Sequence, residues 1–165
     1  MNVDDAFFMK EAITEAKKAY KKGEVPIGAV VVKNDEIIGR GHNETENKKD
    51  ITAHGEITAI RNAEKKIGGW RLNGCDLYVT AEPCTMCAGA IVLSRMKRLV
   101  TGAPSPKNGA CYTLKNLLDD ENLNHSVKLT AGVMEKECSD LLKDFFKELR
   151  NNRNKPEETE VEINC

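Results

Sequence analysis

Residues 77–103, LYVTAEPCTMCAGAIVLSRMKRLVTGA, decide the fold. Residues 77–80 and 99–103 are apolar runs of strand length, and residues 85–94 between them read as a short apolar helix. A strand, a helix and a second strand in this order put the strands parallel, with the helix laid on the sheet. Upstream, residues 27–32 form a continuous apolar run suited to a strand covered on both faces. Asn34-Asp35 then turn the chain into a second strand over 36–41, predicting a hairpin. Ahead of the hairpin, Ala6, Met9, Ile13, Ala16 and Tyr20 recur at helical spacing within residues 4–22, and Gly23 and Pro26 end that helix. Ile57, Ile60, Ala63 and Ile67 predict a second helix running from near Ala53 to Gly68-Gly69. Downstream, a last strand is expected around residues 127–131. Cys138, Leu141, Leu142, Phe145, Phe146 and Leu149 then make the stripe of a final helix docked on the core. The sum is a single three-layer α/β/α domain over residues 1–152 around one mixed sheet of about five strands. Residues 153–165 have no apolar period and read as a disordered acidic tail.

Composition limits what such a domain can do. The 165 residues are 40% hydrophobic and 31% charged, enough apolar material for one core. Lysine and arginine number 25 against 26 acidic residues, a formal charge of −1, so no global basic field points to a polyanion. The tail holds Arg153 and Lys155 against Glu157, Glu158, Glu160 and Glu162, which leaves +1 for the body and room for a local basic face. The longest apolar run, residues 86–93, is far short of the roughly 20 residues that cross a bilayer. The acidic start lacks a secretory pattern, so a reducing cytoplasm is expected, with no membrane partner and six cysteines serving as thiols or metal ligands.

Two short pieces carry the chemistry: His54-Gly55-Glu56 opening the second helix and Pro83-Cys84-Thr85-Met86-Cys87 opening the third. Positions i and i+3 lie on one side of a helix, so Cys84 and Cys87 can grip one ion, and Pro83 suits the helix entrance. The positive ends of both helices favour thiolate, the form that binds metal. His54, Cys84 and Cys87 as ligands leave a fourth tetrahedral position for water, the mark of a catalytic zinc. Glu56 is then the proton shuttle from that water to a ring nitrogen and on to a leaving amine. Cys75, Cys111, Cys138, His42 or His125 as a fourth ligand would instead close a structural zinc site, and Cys84 with Cys87 alone would also suit a redox pair. H-x-E followed by P-C-x-x-C is the signature of zinc deaminases.

The sequence resembles the bacterial tRNA-specific adenosine deaminases of the cytidine-deaminase-like superfamily. The resemblance runs through GEVPIGAV at 23–30, GRGHN at 39–43, TAHGEI at 52–57, LYVTAEPCTMCAGA at 77–90, Ser94-Arg95, Leu123-Asn-His125 and ECSDLLKDFF at 137–146. It implies one Zn2+ per chain, a homodimer, and conversion of the wobble adenosine of a tRNA anticodon to inosine with release of ammonia. Asn43 matches the position that hydrogen-bonds the base, although it also suits a turn after the second strand. Glu82 takes a supporting role. Arg95, Lys97, Arg98 and Lys107 are candidates for phosphates or for plain solvation. Departures from the family pattern cluster near the site: Gly55 for alanine, Ile51 for proline, Ala81 for a larger aliphatic, Ser105 for an aspartate that faces RNA, and Cys111-Tyr112 for small residues. Asn43, Ala81, Ser105, Lys107 and Tyr112 are therefore the expected substrate contacts. Two other readings stay open: a deaminase of a free nucleobase or nucleoside, and a non-catalytic zinc-stabilised RNA-binding module.

Overall fold

The computed structural model describes residues 4–155. Its elements run α1 (Asp5–Lys21), β1 (Gly28–Lys33), β2 (Glu36–His42), α2 (Thr45–Lys48), α3 (Gly55–Ile67), β3 (Asp76–Ala81), α4 (Thr85–Leu93), β4 (Arg98–Ala103), β5 (Lys128–Thr130) and α5 (Glu135–Arg153). The sheet order is β2-β1-β3-β4-β5, antiparallel between β2, β1 and β3 and parallel between β3, β4 and β5. The hairpin closes through Asn34 and Asp35, with φ of 49° and 60°, the paired left-handed conformation that matches strand twist in a two-residue turn.

Helices cover both faces. Ala59, Ile60 and Ala63 of α3 and Ala88, Ile91 and Val92 of α4 pack on Val31, Leu77, Val79 and Leu99. On the other face, Phe8, Met9, Ala12 and Ile13 of α1 and Cys138 of α5 pack on Val30, Tyr78 and Val100. Successive strand side chains alternate between these two cores, which is why runs such as residues 29–32 are apolar without a break.

The layers meet closely enough to require glycine. A Cβ on Gly28 would run into the backbone of Ala12 and Ala16, and one on Gly41 would lie 2.5 Å from Ala59 N and nearer still to Gly55 O. Gly41 thus lets the first turn of α3 sit directly on β2. Gly41→Ala is expected to destabilise the fold by about 1–3 kcal/mol by overpacking this contact. Urea denaturation would read the loss as a lower midpoint at unchanged slope.

Several boundaries differ from the sequence expectation. α3 starts at Gly55, with His54 as an extended N-cap (φ −78°, ψ 151°), and Cys84 is likewise an extended N-cap of α4 (φ −73°, ψ 175°). Cys84 and Cys87 are therefore not two residues of one helix but a cap and a first-turn residue, and Pro83 stands outside the helix. α2 is a turn that no periodicity announced. α5 extends through Arg153, and the rest of the expected acidic tail, residues 156–165, lies outside the described residues.

Strand order gathers chemistry at one edge. β1 begins where β2, β3 and β4 end: Gly28 pairs with His42, Ala29 with Val79, and Ala81 with Ala103. The segments leaving that edge carry Asn43, Glu82, Cys84 and Pro104.

Candidate active site

At this edge the N-termini of α3 and α4 converge. Neither His54 nor Cys84 makes a side-chain cap hydrogen bond, so both cap side chains are free to turn away from their own helices. Nδ1 of His54 lies 3.7 Å from Sγ of Cys84 and 3.5 Å from Sγ of Cys87. A tetrahedral zinc with Zn–S of about 2.3 Å and Zn–N of about 2.05 Å requires N···S separations of about 3.6 Å. The donor set therefore fits the ion. Among the described residues, no other His, Cys, Asp or Glu joins these three, whose ligand atoms lie within 4.8 Å of one another. A closed four-ligand structural site is thus not what the described residues build.

The electrostatics follow from this crowding. A hydrogen bond from Cys87, with His54 close by, brings the Cys84 thiol down to about 3, while the same bond and burial push Cys87 up. His54 is raised by its bond to Cys84. Cys84 is thus held toward the thiolate, the form that binds a soft divalent ion.

Glu56, on the first turn of α3, stands outside the ligand group. It is 3% exposed, and its Oε2 has no hydrogen-bond partner among the described residues. Burial raises its pKa, the environment expected of a carboxyl that both takes and returns a proton.

A cavity of about 640 Å³ opens over the group, lined by His54, Glu56 and Cys84 together with Ala81, Ser105 and Lys107. α5 closes its other side with Leu142, Lys143, Phe146 and Arg150. Beside it, a smaller recess of about 260 Å³ places Asn43 next to His54, Gly55 and Glu56. The loop carrying Ser105 is held by Glu82. Its carboxylate accepts from the backbone N–H of Ser105 (3.1 Å), Cys111 (3.1 Å), Tyr112 (2.8 Å) and Thr113 (2.9 Å), and from the Thr113 hydroxyl. Burial alone would raise the Glu82 pKa, but these donors outweigh it and hold the group low and ionised.

The family of MafB19-like deaminases matches residues 3–150. A protein of Bacillus subtilis (strain 168) named tRNA-specific adenosine deaminase is 54% identical, over 90% of this chain and 92% of its own length. This chain belongs to the tRNA-specific adenosine deaminase family. A family member from Aquifex aeolicus (strain VF5) is 49% identical over 88% of this chain and 96% of its own. A solved structure from studies of A-to-I editing by tRNA:A34 deaminases at the wobble position superposes with a TM-score of 0.80 at 43% identity, covering 82% of this chain and 99% of that one.

Within this deaminase, the expected contacts Asn43, Ala81, Ser105 and Lys107 all face the site, whereas Tyr112 does not line either cavity and its hydroxyl accepts from Thr101 at 3.5 Å. Arg98, a candidate for phosphate, is instead committed at the far end of the sheet. Its guanidinium donates to both Asp5 oxygens (3.0 and 2.8 Å) and to Asp76 (3.1 and 2.9 Å), tying α1 to β3. Sequence reading missed Lys143 and Arg150, and it assigned Phe146 to the core. Phe145 is the buried one, while Phe146 is 40% exposed at the cavity wall. The recoverable signal was the spacing of 143, 146 and 150, which share a helix face beside the core stripe.

Proposed function

We propose that the protein is a zinc-dependent hydrolytic deaminase that converts the wobble adenosine of a tRNA anticodon to inosine, with His54, Cys84 and Cys87 holding one zinc per chain. The observation that carries this reading is a pair of N···S separations of zinc dimensions beside a buried carboxyl whose Oε2 has no partner among the described residues. When bound, zinc supplies Lewis acidity that lowers the pKa of water from about 15.7 to about 7. Glu56 takes a proton from the attacking water and delivers it to N1 of the adenine as oxygen bonds to C6. It then passes the second proton to the exocyclic nitrogen, the C6–N bond breaks, and ammonia leaves with inosine as product. Water in and ammonia out balance without an oxidant or reductant.

Asn43 holds the base by its amide, Ala81 and Ser105 shape the pocket, and Lys107 meets a neighbouring phosphate, supported by Lys143 and Arg150 on the facing helix. The names of the relatives support tRNA as substrate, and the Phe146 ring at the cavity wall suits stacking on an unpaired base. The reaction belongs in the cytoplasm, where thiol ligands stay reduced. No helix among the described residues is long and apolar enough to cross a membrane.

The experiment is inosine formation and ammonia release from an arginine tRNA anticodon stem-loop, run beside a panel of free bases and nucleosides. Turnover confined to the stem-loop is expected. Turnover of a free base with an inert stem-loop overturns the substrate.

The working unit is a homodimer. Met86, Gly89, Ala90 and Leu93 form an apolar line along α4, and Leu93 is 71% exposed. Such a line suits close helix packing against a second copy. Leu93→Glu is expected to shift sedimentation from dimer to monomer at micromolar concentration, and an unchanged dimer would move the interface elsewhere.

A further inference from the structure

The single turn of α2 has too few hydrogen bonds to persist by itself. Its N-cap residue, Glu44, makes no side-chain cap hydrogen bond. The cap comes from the loop ahead of β1. The Glu24 carboxylate, 1% exposed, accepts from Asn47 N (2.7 Å) and the Asn47 side-chain amide (2.7 Å) through Oε1, and from Glu46 N (3.3 Å) through Oε2. Glu46 and Asn47 are the second and third residues of α2, the positions an N-cap side chain normally serves. Glu24 therefore caps in trans. The first residue of the turn, Thr45, donates its hydroxyl to Asn43 Oδ1 at 2.7 Å, while Asn43 N donates to Ile27 O at 3.0 Å. With its backbone pinned and its amide oxygen occupied, Asn43 keeps Nδ2 as the group to offer toward the recess it shares with His54 and Glu56.

We propose that Glu24 and Thr45 are positioning residues for the substrate: Glu24 builds α2, and Thr45 orients the Asn43 amide so that an N–H donor faces an acceptor on the bound nucleotide. The proposal rests on the reading of Asn43 as a substrate contact. Substrates are selected by an acceptor at that place, and the selection is set by Glu24 and Thr45, which stand beside Asn43 in the wall of the same recess.

The test is steady-state kinetics of the full-length, zinc-loaded protein on the anticodon stem-loop, with zinc content and thermal midpoint measured on every variant. Thr45→Val, which removes only the hydroxyl, is expected to raise KM about 5- to 10-fold with kcat within about twofold. Thr45→Ser is expected to restore the wild-type KM. In an Asn43→Ala background, Thr45→Val is expected to add nothing, because both changes remove the same interaction. Glu24→Gln replaces one acceptor oxygen by a donor facing Glu46 N and is expected to move KM in the same direction; if it fails to fold, the Thr45 series decides. An unchanged KM for Thr45→Val while Asn43→Ala raises KM, or additive effects in the double variant, overturns the relay. An unchanged KM for Asn43→Ala removes the base-contact reading instead, and the relay falls with it.

Discussion

Glu56→Gln is expected to reduce deamination by at least about 10³-fold while leaving zinc stoichiometric and the fold intact. General acid–base catalysis by one positioned group contributes about 10²–10⁴-fold, and here the same carboxylate handles both protons, so its loss falls at the upper end of that range or beyond. Glutamine keeps the shape of the side chain but neither accepts nor returns a proton. Stability should not suffer. The carboxyl is buried with one oxygen unpartnered among the described residues, and burial raises its pKa, so the folded protein bears a desolvation cost that the neutral amide avoids. The thermal midpoint is expected to equal or exceed that of the wild type, in keeping with the tension between stability and activity at catalytic sites. Mass spectrometry of the stem-loop product, elemental analysis and a melting curve on the same preparation check all three. Turnover within tenfold of wild type would remove Glu56 from the mechanism. RNA binding without turnover by the wild type, left unchanged in the variant, would favour a non-catalytic RNA-binding module.

Cys84→Ala is expected to lose both zinc and turnover. Two remaining donors cannot hold a tetrahedral ion that normally takes three protein ligands at a catalytic site. Zinc after dialysis against a chelator should fall from one per chain to a small fraction, and activity with it. The wild-type protein at a zinc level of about 1,000 times Kd gains about 4 kcal/mol of apparent stability from binding, and the variant should forfeit that gain. Chelator should therefore lower the melting midpoint of the wild type and leave that of Cys84→Ala unmoved. A Cys84→Ala protein that still carries stoichiometric zinc would exclude Cys84 as a ligand.

Both experiments concern residues visible from the chain alone, and their legibility has a local cause. Cys84 and Cys87 are three positions apart, and His54 and Glu56 two apart, so each pair is organised by one turn of backbone whatever the rest of the fold does. Other features were legible in type and not in detail. The spacing of 84 and 87 suggests two helical residues, yet Cys84 is an extended cap. A cap side chain can leave the helix axis and meet a histidine that caps a different helix, which two residues within one helix reach less directly. Asn43 was recognisable through the family resemblance in residues 39–43, but α2 beside it was not, because a single turn capped by Glu24 has no apolar period of its own.

The cavity wall shows the opposite limit. Lys143, Phe146 and Arg150 sit some sixty residues from the cysteines, and their helix reads as a docking stripe in which Phe145 and Phe146 look equivalent. Packing of α5 separates them: Phe145 is buried with its ring 5.5 Å from that of Tyr20 on α1, while Phe146 stands at the cavity. Tyr112 moved the other way: expected at the pocket because it stands where the family has a small residue, it turns to Thr101, and Glu82 pins the backbone of the loop on either side. The sequence by itself determined the layered α/β fold and singled out the three candidate metal donors and the carboxyl proposed as proton shuttle, since these depend on apolar periodicity and on spacings within one turn. Only the tertiary structure decided which side chains line the cavity and which residues hold them there, because those neighbours are set by the angle and register at which distant helices meet the sheet, and no local pattern encodes either.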